Sequence, residues 1–111
     1  MIKTILVCGG RDFNDYKRVC EVLDSLEFDR IIHGGARGAD MLGDRYAKEK
    51  GIERIVYHAN WNGFGKRAGY VRNALMLSHG NPDVVVAFPG GRGTKMMKEL
   101  AEKAGKEVID G

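Results

Sequence analysis

Short apolar runs alternate with amphipathic segments along this chain. Thr4-Ile5-Leu6-Val7-Cys8 and Val84-Val85-Val86-Ala87-Phe88 are unbroken and rich in β-branched residues, the pattern of strands buried on both faces of a parallel sheet. Asp29–His33 and Glu53–His58 are more polar versions, and Lys106–Ile109 is a short last run suited to a sheet edge. Between the runs, apolar residues recur at helical spacing. Tyr16, Val19, Leu23 and Leu26 form one such stripe, and Ala39, Leu42, Tyr46 and Ala47 a second. Val71, Leu75 and Met76 point a third helix inward, and Lys95–Ala101 reads as a fourth. Asn14 or Asp12 suits the cap of the first helix, while Gly51 and Gly105 are placed to end the second and the last. Strands alternating with helices predict an α/β fold with a parallel sheet covered on both faces. Right-handed crossovers predict a five-stranded, doubly wound sheet in the order 3-2-1-4-5. The length, 111 residues, allows one such domain over 1–111 and one core.

In that order every loop leaving a strand for a helix lies on the carboxyl edge of the sheet, where ligands bind at the switch point between strands 1 and 4. These loops hold most of the 16 glycines. They comprise Gly9 and Gly10; Gly34, Gly35 and Gly38; Gly63, Gly65 and Gly69; and Gly90, Gly91 and Gly93. Glycine lets backbone amides approach a ligand closely, and each helix start adds unpaired N–H groups that favour an anion. Basic residues accompany each loop: Arg11, Arg37, then Lys66, Arg67 and Arg72, then Arg92 and Lys95. The acids there are Asp12 and Asp40. An anion-binding site is therefore expected, centred on Pro89-Gly90-Gly91-Arg92-Gly93-Thr94.

Trp61 and Phe64, set among glycines and cations, suit stacking on a base, or alternatively anchoring the loop from beneath. Asp12 suits ribose hydroxyls or the cap of the next helix. Asp40, in the first turn of its helix, is expected to be structural or to pair with Arg37. His33 ends a strand within reach of a ligand, and the three histidines lack metal-ligand spacing. Neither G-x-G-x-x-G nor a Walker A sequence occurs, so nicotinamide and ordinary ATPase chemistry find no support.

Net charge is +3 with a pI near 9.0, which permits an anionic partner without demanding nucleic acid. Cys8 and Cys20 lie in apolar patterns and read as reduced core residues, in keeping with a cytoplasmic protein. No apolar run is long enough to span a membrane, and Met1–Val7 is too short for a signal peptide.

Pro89-Gly90-Gly91-Arg92-Gly93-Thr94 resembles the P-G-G-x-G-T motif of the LOG (lysine decarboxylase-like) phosphoribohydrolases, and Arg72-Asn73-Ala74-Leu75-Met76 is similar to their R-x-x-x-M segment. His33-Gly34-Gly35-Ala36-Arg37-Gly38-Ala39-Asp40 resembles the S-G-x-A-x-G-I-D segment of the DprA/Smf proteins. Both groups belong to the SLOG superfamily of Rossmann-like nucleotide-binding domains. The whole chain, including Gly9–Phe13 and Trp61–Asn73, looks most like its small YspA-like branch. The resemblance implies a nucleotide or nucleotide-derived ligand, of nucleoside phosphate or ADP-ribose type, bound by a sensor or sequestering protein. The alternatives are a LOG-like N-glycosidase and DprA-like binding of single-stranded nucleic acid, the latter less favoured. The LOG glutamate two or three residues after the threonine is replaced here by Met96 and Met97. Candidate catalytic groups reduce to Arg72, which can hold a phosphate, and Asp12, on a neighbouring loop. No cofactor, metal or membrane partner is expected, and a homo-oligomer stays open.

Overall fold

The computed structural model describes residues 2–111. Its strands are β1 (Thr4–Cys8), β2 (Arg30–His33), β3 (Glu53–Val56), β4 (Val84–Ala87) and β5 (Glu107–Asp110). The helices are α1 (Tyr16–Asp24), α2 (Ala39–Lys50), α3 (Trp61–Phe64), α4 (Ala68–Ser78) and α5 (Arg92–Lys103), with a 3-10 turn at Gly65–Arg67. All strand pairs are parallel, in the order β3-β2-β1-β4-β5. The expected topology is thus the observed one, with β5 at an edge.

Alternate residues of the central strands serve opposite faces, as the period of two requires. Ile5, Val7, Ile31, Val84 and Val86 pack with Val19, Val22 and Leu23 of α1 and Tyr46 and Ala47 of α2. Leu6, Cys8, Ile32, Val85 and Ala87 pack with Met76 and Leu77 of α4 and Met97 and Ala101 of α5. Burying an aliphatic side chain of this size contributes about 1.5–3 kcal/mol, so these two layers hold the sheet between its helices. At the amino edge, Asp29 Oδ2 accepts from Lys3 N–H at 2.8 Å and Asp83 Oδ2 from Thr4 N–H at 2.8 Å, which fixes where β1 enters.

Several local expectations are corrected. The cap of α1 is Asp15, whose Oδ1 accepts from Arg18 N–H at 3.1 Å. Asp12 and Asn14 lie too early to reach that turn. Leu26 falls beyond the end of α1 and packs from the following loop. Leu75 is exposed, because α4 presents Asn73, Met76 and Leu77 to the core instead. The long loop after β3 contains α3, which Asn60 caps by accepting from Gly63 N–H at 2.9 Å.

Candidate functional site

Backbone bonds draw three loops together at the carboxyl edge. Gly10 N–H donates to Pro89 O at 2.9 Å, and Gly10 O accepts from Ala39 N–H at 3.1 Å and Phe13 N–H at 3.3 Å. Phe13 stacks on Phe88, with ring centroids 5.2 Å apart, which anchors the first loop over β4. Gly38 has φ +83°, and a Cβ there would strike the Gly10 carbonyl oxygen. The loops meet this closely only because that position lacks a side chain.

The result is a cleft of about 400 Å³ beside the switch between β1 and β4, within the size range of small-molecule sites. Cys8 to Arg11 form one wall, Ala36 and Asp40 a second, Arg72, Asn73 and Met76 a third. Gly91, Gly93, Thr94 and Met97 close it. α1 carries Asp15 and α3 carries Asn60 as side-chain caps, whereas α2 and α5 begin at Gly38 and Gly91 with no side-chain cap. The amides of Arg92, Gly93 and Thr94 find no acceptor among the described residues. Open N–H groups at a helix start, with its positive dipole end, make a ready site for an anion.

Arg72 is half-buried and fixed. Its Nη1 donates to Gly34 O at 2.6 Å and its Nε to Asn73 Oδ1 at 2.9 Å, leaving the rest of its fork for the cleft. A Cβ at Gly34 would lie 2.5 Å from that Nη1, so glycine there is what admits the guanidinium. Arg11 is exposed and lines the same space. Burial lowers the Arg72 pKa and the neighbouring Asp40 charge opposes the fall.

Of the two readings of Asp40, the structural one is observed and the pairing with Arg37 is not. Asp40 is 7% exposed and lines the cleft. Its Oδ2 accepts from Gly34 N–H at 3.1 Å and Ala36 N–H at 3.2 Å. Burial pushes its pKa up, against the lowering effect of those amides, His33 and Arg72. Arg37 instead pairs with Asp12 at 3.3 Å, and both side chains are largely in solvent, a contact of little energy. Asp12 therefore stands outside the cleft, and Asp40 is the carboxylate within it.

His33 does not make the ligand contact open to it at the end of its strand. It is fully buried and does not line the cleft. Gly35 N–H donates to its Nδ1 at 3.0 Å, so Nε2 carries the hydrogen and donates to Asp44 Oδ1 at 2.8 Å. Arg54 and Lys48 complete this cluster at 2.7 and 3.2 Å from Asp44. Burial raises the Asp44 pKa, but these partners overturn that and hold it below the ordinary carboxylate range.

A second chamber of about 320 Å³ adjoins the first and shares Arg11, Ala36 and Arg72 with it. Gly34, Gly35, Arg37, His58 and Trp61 supply its other walls, and the indole is 53% exposed. Lys66 lies on the 3-10 turn and borders neither chamber. Pro89 and Gly90 border a hollow on another side of α5, with Glu99 in its lining rather than in the cleft's. Arg92 is exposed at the first position of α5. Cys8, Met76 and Met97 form an apolar floor that the loops alone did not announce. Its signal was the apolar phase of the helices that follow them.

Among the described residues no group of three His, Cys, Asp or Glu side chains is placed to hold a metal, and no helix is long and apolar enough to cross a membrane. The chain is 37% identical over 121 aligned positions to the Gene 61 protein of Mycobacterium phage D29, an alignment covering 98% of this chain and 96% of that protein. Residues 3–64, which carry β1, β2, β3 and the first two loops of the cleft, match the profile of the YAcAr family. With an α/β fold of order 3-2-1-4-5 and that match, the chain belongs to the YspA, cpYpsA-related SLOG family.

Proposed function

We propose that the cleft binds a nucleotide or nucleotide-derived ligand, of nucleoside phosphate or ADP-ribose type, and that the protein acts as its sensor or sequestering protein. The observation that carries this is the uncapped start of α5, whose open amides face a cleft shared with Arg11 and Arg72. Phosphate oxygens answer those donors, and Met76 and Met97 offer a soft apolar surface to a base or sugar. The adjoining chamber, with Trp61 on its rim, gives room for the rest of a longer ligand. Arg11 makes no hydrogen bond to another described side chain, so replacing it leaves the fold intact. Arg11→Ala is expected to weaken nucleotide affinity about tenfold to hundredfold by calorimetry. Unchanged affinity for every member of a panel of nucleoside monophosphates and ADP-ribose would remove the assignment.

Asp40 favours a second reading, hydrolysis of the ligand's N-glycosidic bond, because it puts one carboxylate where α5 offers only methionines. Free base appearing on chromatography, and lost in Asp40→Asn, is the result that reading requires.

A further inference from the structure

Asp40 is a carboxylate in a cleft built for an anion, and that is electrostatically the wrong sign. It is more than nine-tenths buried, and it is the one acid in the lining beside Arg11, Arg72 and the open start of α5. Holding the glycine loop does not explain the charge. Both loop bonds, from Gly34 and Ala36, fall on Oδ2, and an asparagine oxygen would accept them equally without the cost of burying a charge. Oδ1 takes no hydrogen bond among the described residues and yet is not sealed from solvent. Arg72 is near enough to favour the charge but makes no hydrogen bond to it, its Nη1 and Nε being committed to Gly34 O and Asn73.

An ionised carboxylate only accepts. Oδ1 is the oxygen left open to the cleft, and with Arg72 bonded to Gly34 O and Asn73 it is free to accept from a donor on the ligand. We propose that Asp40 Oδ1 accepts from the sugar hydroxyls of a ribonucleotide, making it the residue that separates a ribose phosphate from a bare phosphate or a deoxygenated analogue. This rests on the nucleotide reading above. The phosphate is held at α5 and by the arginines, and the hydroxyls are read at the opposite wall, where the buried acceptor leaves no place for a second anion.

The two roles predict opposite signs for one substitution. Asp40→Asn removes a negative charge, so electrostatics alone tightens every anion. Loss of a sugar acceptor weakens ribonucleotides only. Titrations with AMP, 2′,3′-dideoxyadenosine monophosphate and pyrophosphate test this in the intact chain. The wild-type protein is expected to prefer AMP to the dideoxy analogue by about tenfold or more. In Asp40→Asn that preference falls toward one, AMP weakens about tenfold, and pyrophosphate binds as well as before or better. AMP tightening together with pyrophosphate, or equal binding of AMP and its dideoxy analogue to the wild type, overturns the role of Asp40 and leaves the phosphate site standing. Failure of the wild type to bind these compounds and every other member of a panel of nucleoside monophosphates and ADP-ribose removes the nucleotide reading itself, and this inference with it. The dideoxy comparison needs no variant, so it decides the matter even if Asp40→Asn folds poorly.

Discussion

Cys8 sits on the floor of the cleft, and burial, aided by the Asp40 charge, pushes its thiol up to about 12. The thiolate is the reactive species, so a lining cysteine here is packing and not a nucleophile. Native protein treated with an alkylating reagent at pH 8 is expected to label at Cys20, which is only half-buried, at least tenfold faster than at Cys8. Peptide mapping by mass spectrometry reads the ratio, and rapid labelling of Cys8 would contradict its placement. The neighbouring Asp40 shows where residue type stops being informative. Asp12 and Asp40 both follow glycine pairs at the same sheet edge, and nothing in spacing ranks one over the other. What separates them is the curl of Gly34–Ala36, which turns two amides onto Asp40 and buries it, while Asp12 faces solvent. Glycine content marks such a loop without fixing its path, because glycine tolerates many paths.

The junction of β2, α2 and β3 is organised by Asp44 rather than by apolar contact alone. Its pKa is lowered in the folded chain despite burial, through His33, Lys48 and Arg54. A depressed carboxylate contributes stability that is present above its unfolded value, near 3.8, and is lost as pH falls through the folded value. Urea midpoints of the wild type are therefore expected to drop below about pH 4. Asp44→Asn should start lower at neutral pH by about 1.5–3 kcal/mol and show a shallower acid limb. Parallel acid limbs in the two proteins would deny Asp44 this part. Elements such as these were legible because strand runs are continuous and helix stripes periodic. The exceptions have local causes. Leu75 lies about 200° around α4 from the buried Asn73, so the face that turns Asn73 inward leaves Leu75 outside. His33, which ends a strand at the binding edge, is held in the core by an aspartate eleven positions on, a pairing that no short motif reports.

At the scale of the molecule, strand order follows from alternation and handedness, so the meeting of four loops at one edge was foreseeable. The depth and lining of the cleft were not, because they depend on how far adjacent loops can close. Gly10 governs that closure, since its amide and carbonyl bind the loops after β4 and β2 and its own loop besides. One residue thus ties the α5 side of the cleft to the Asp40 side. Opening on either side breaks a bond made by that same residue, so the two openings are expected to be coupled. Amide hydrogen exchange should show it: Gly10, Ala39 and Phe13 are expected to exchange with one common protection factor, lower than that of the β1 core and raised in concert by ligand. Unrelated rates at these three amides would mean that the walls fluctuate separately. A shared rate would make the binding edge a single cooperative unit, whose occupancy is felt at once by both halves of the sheet.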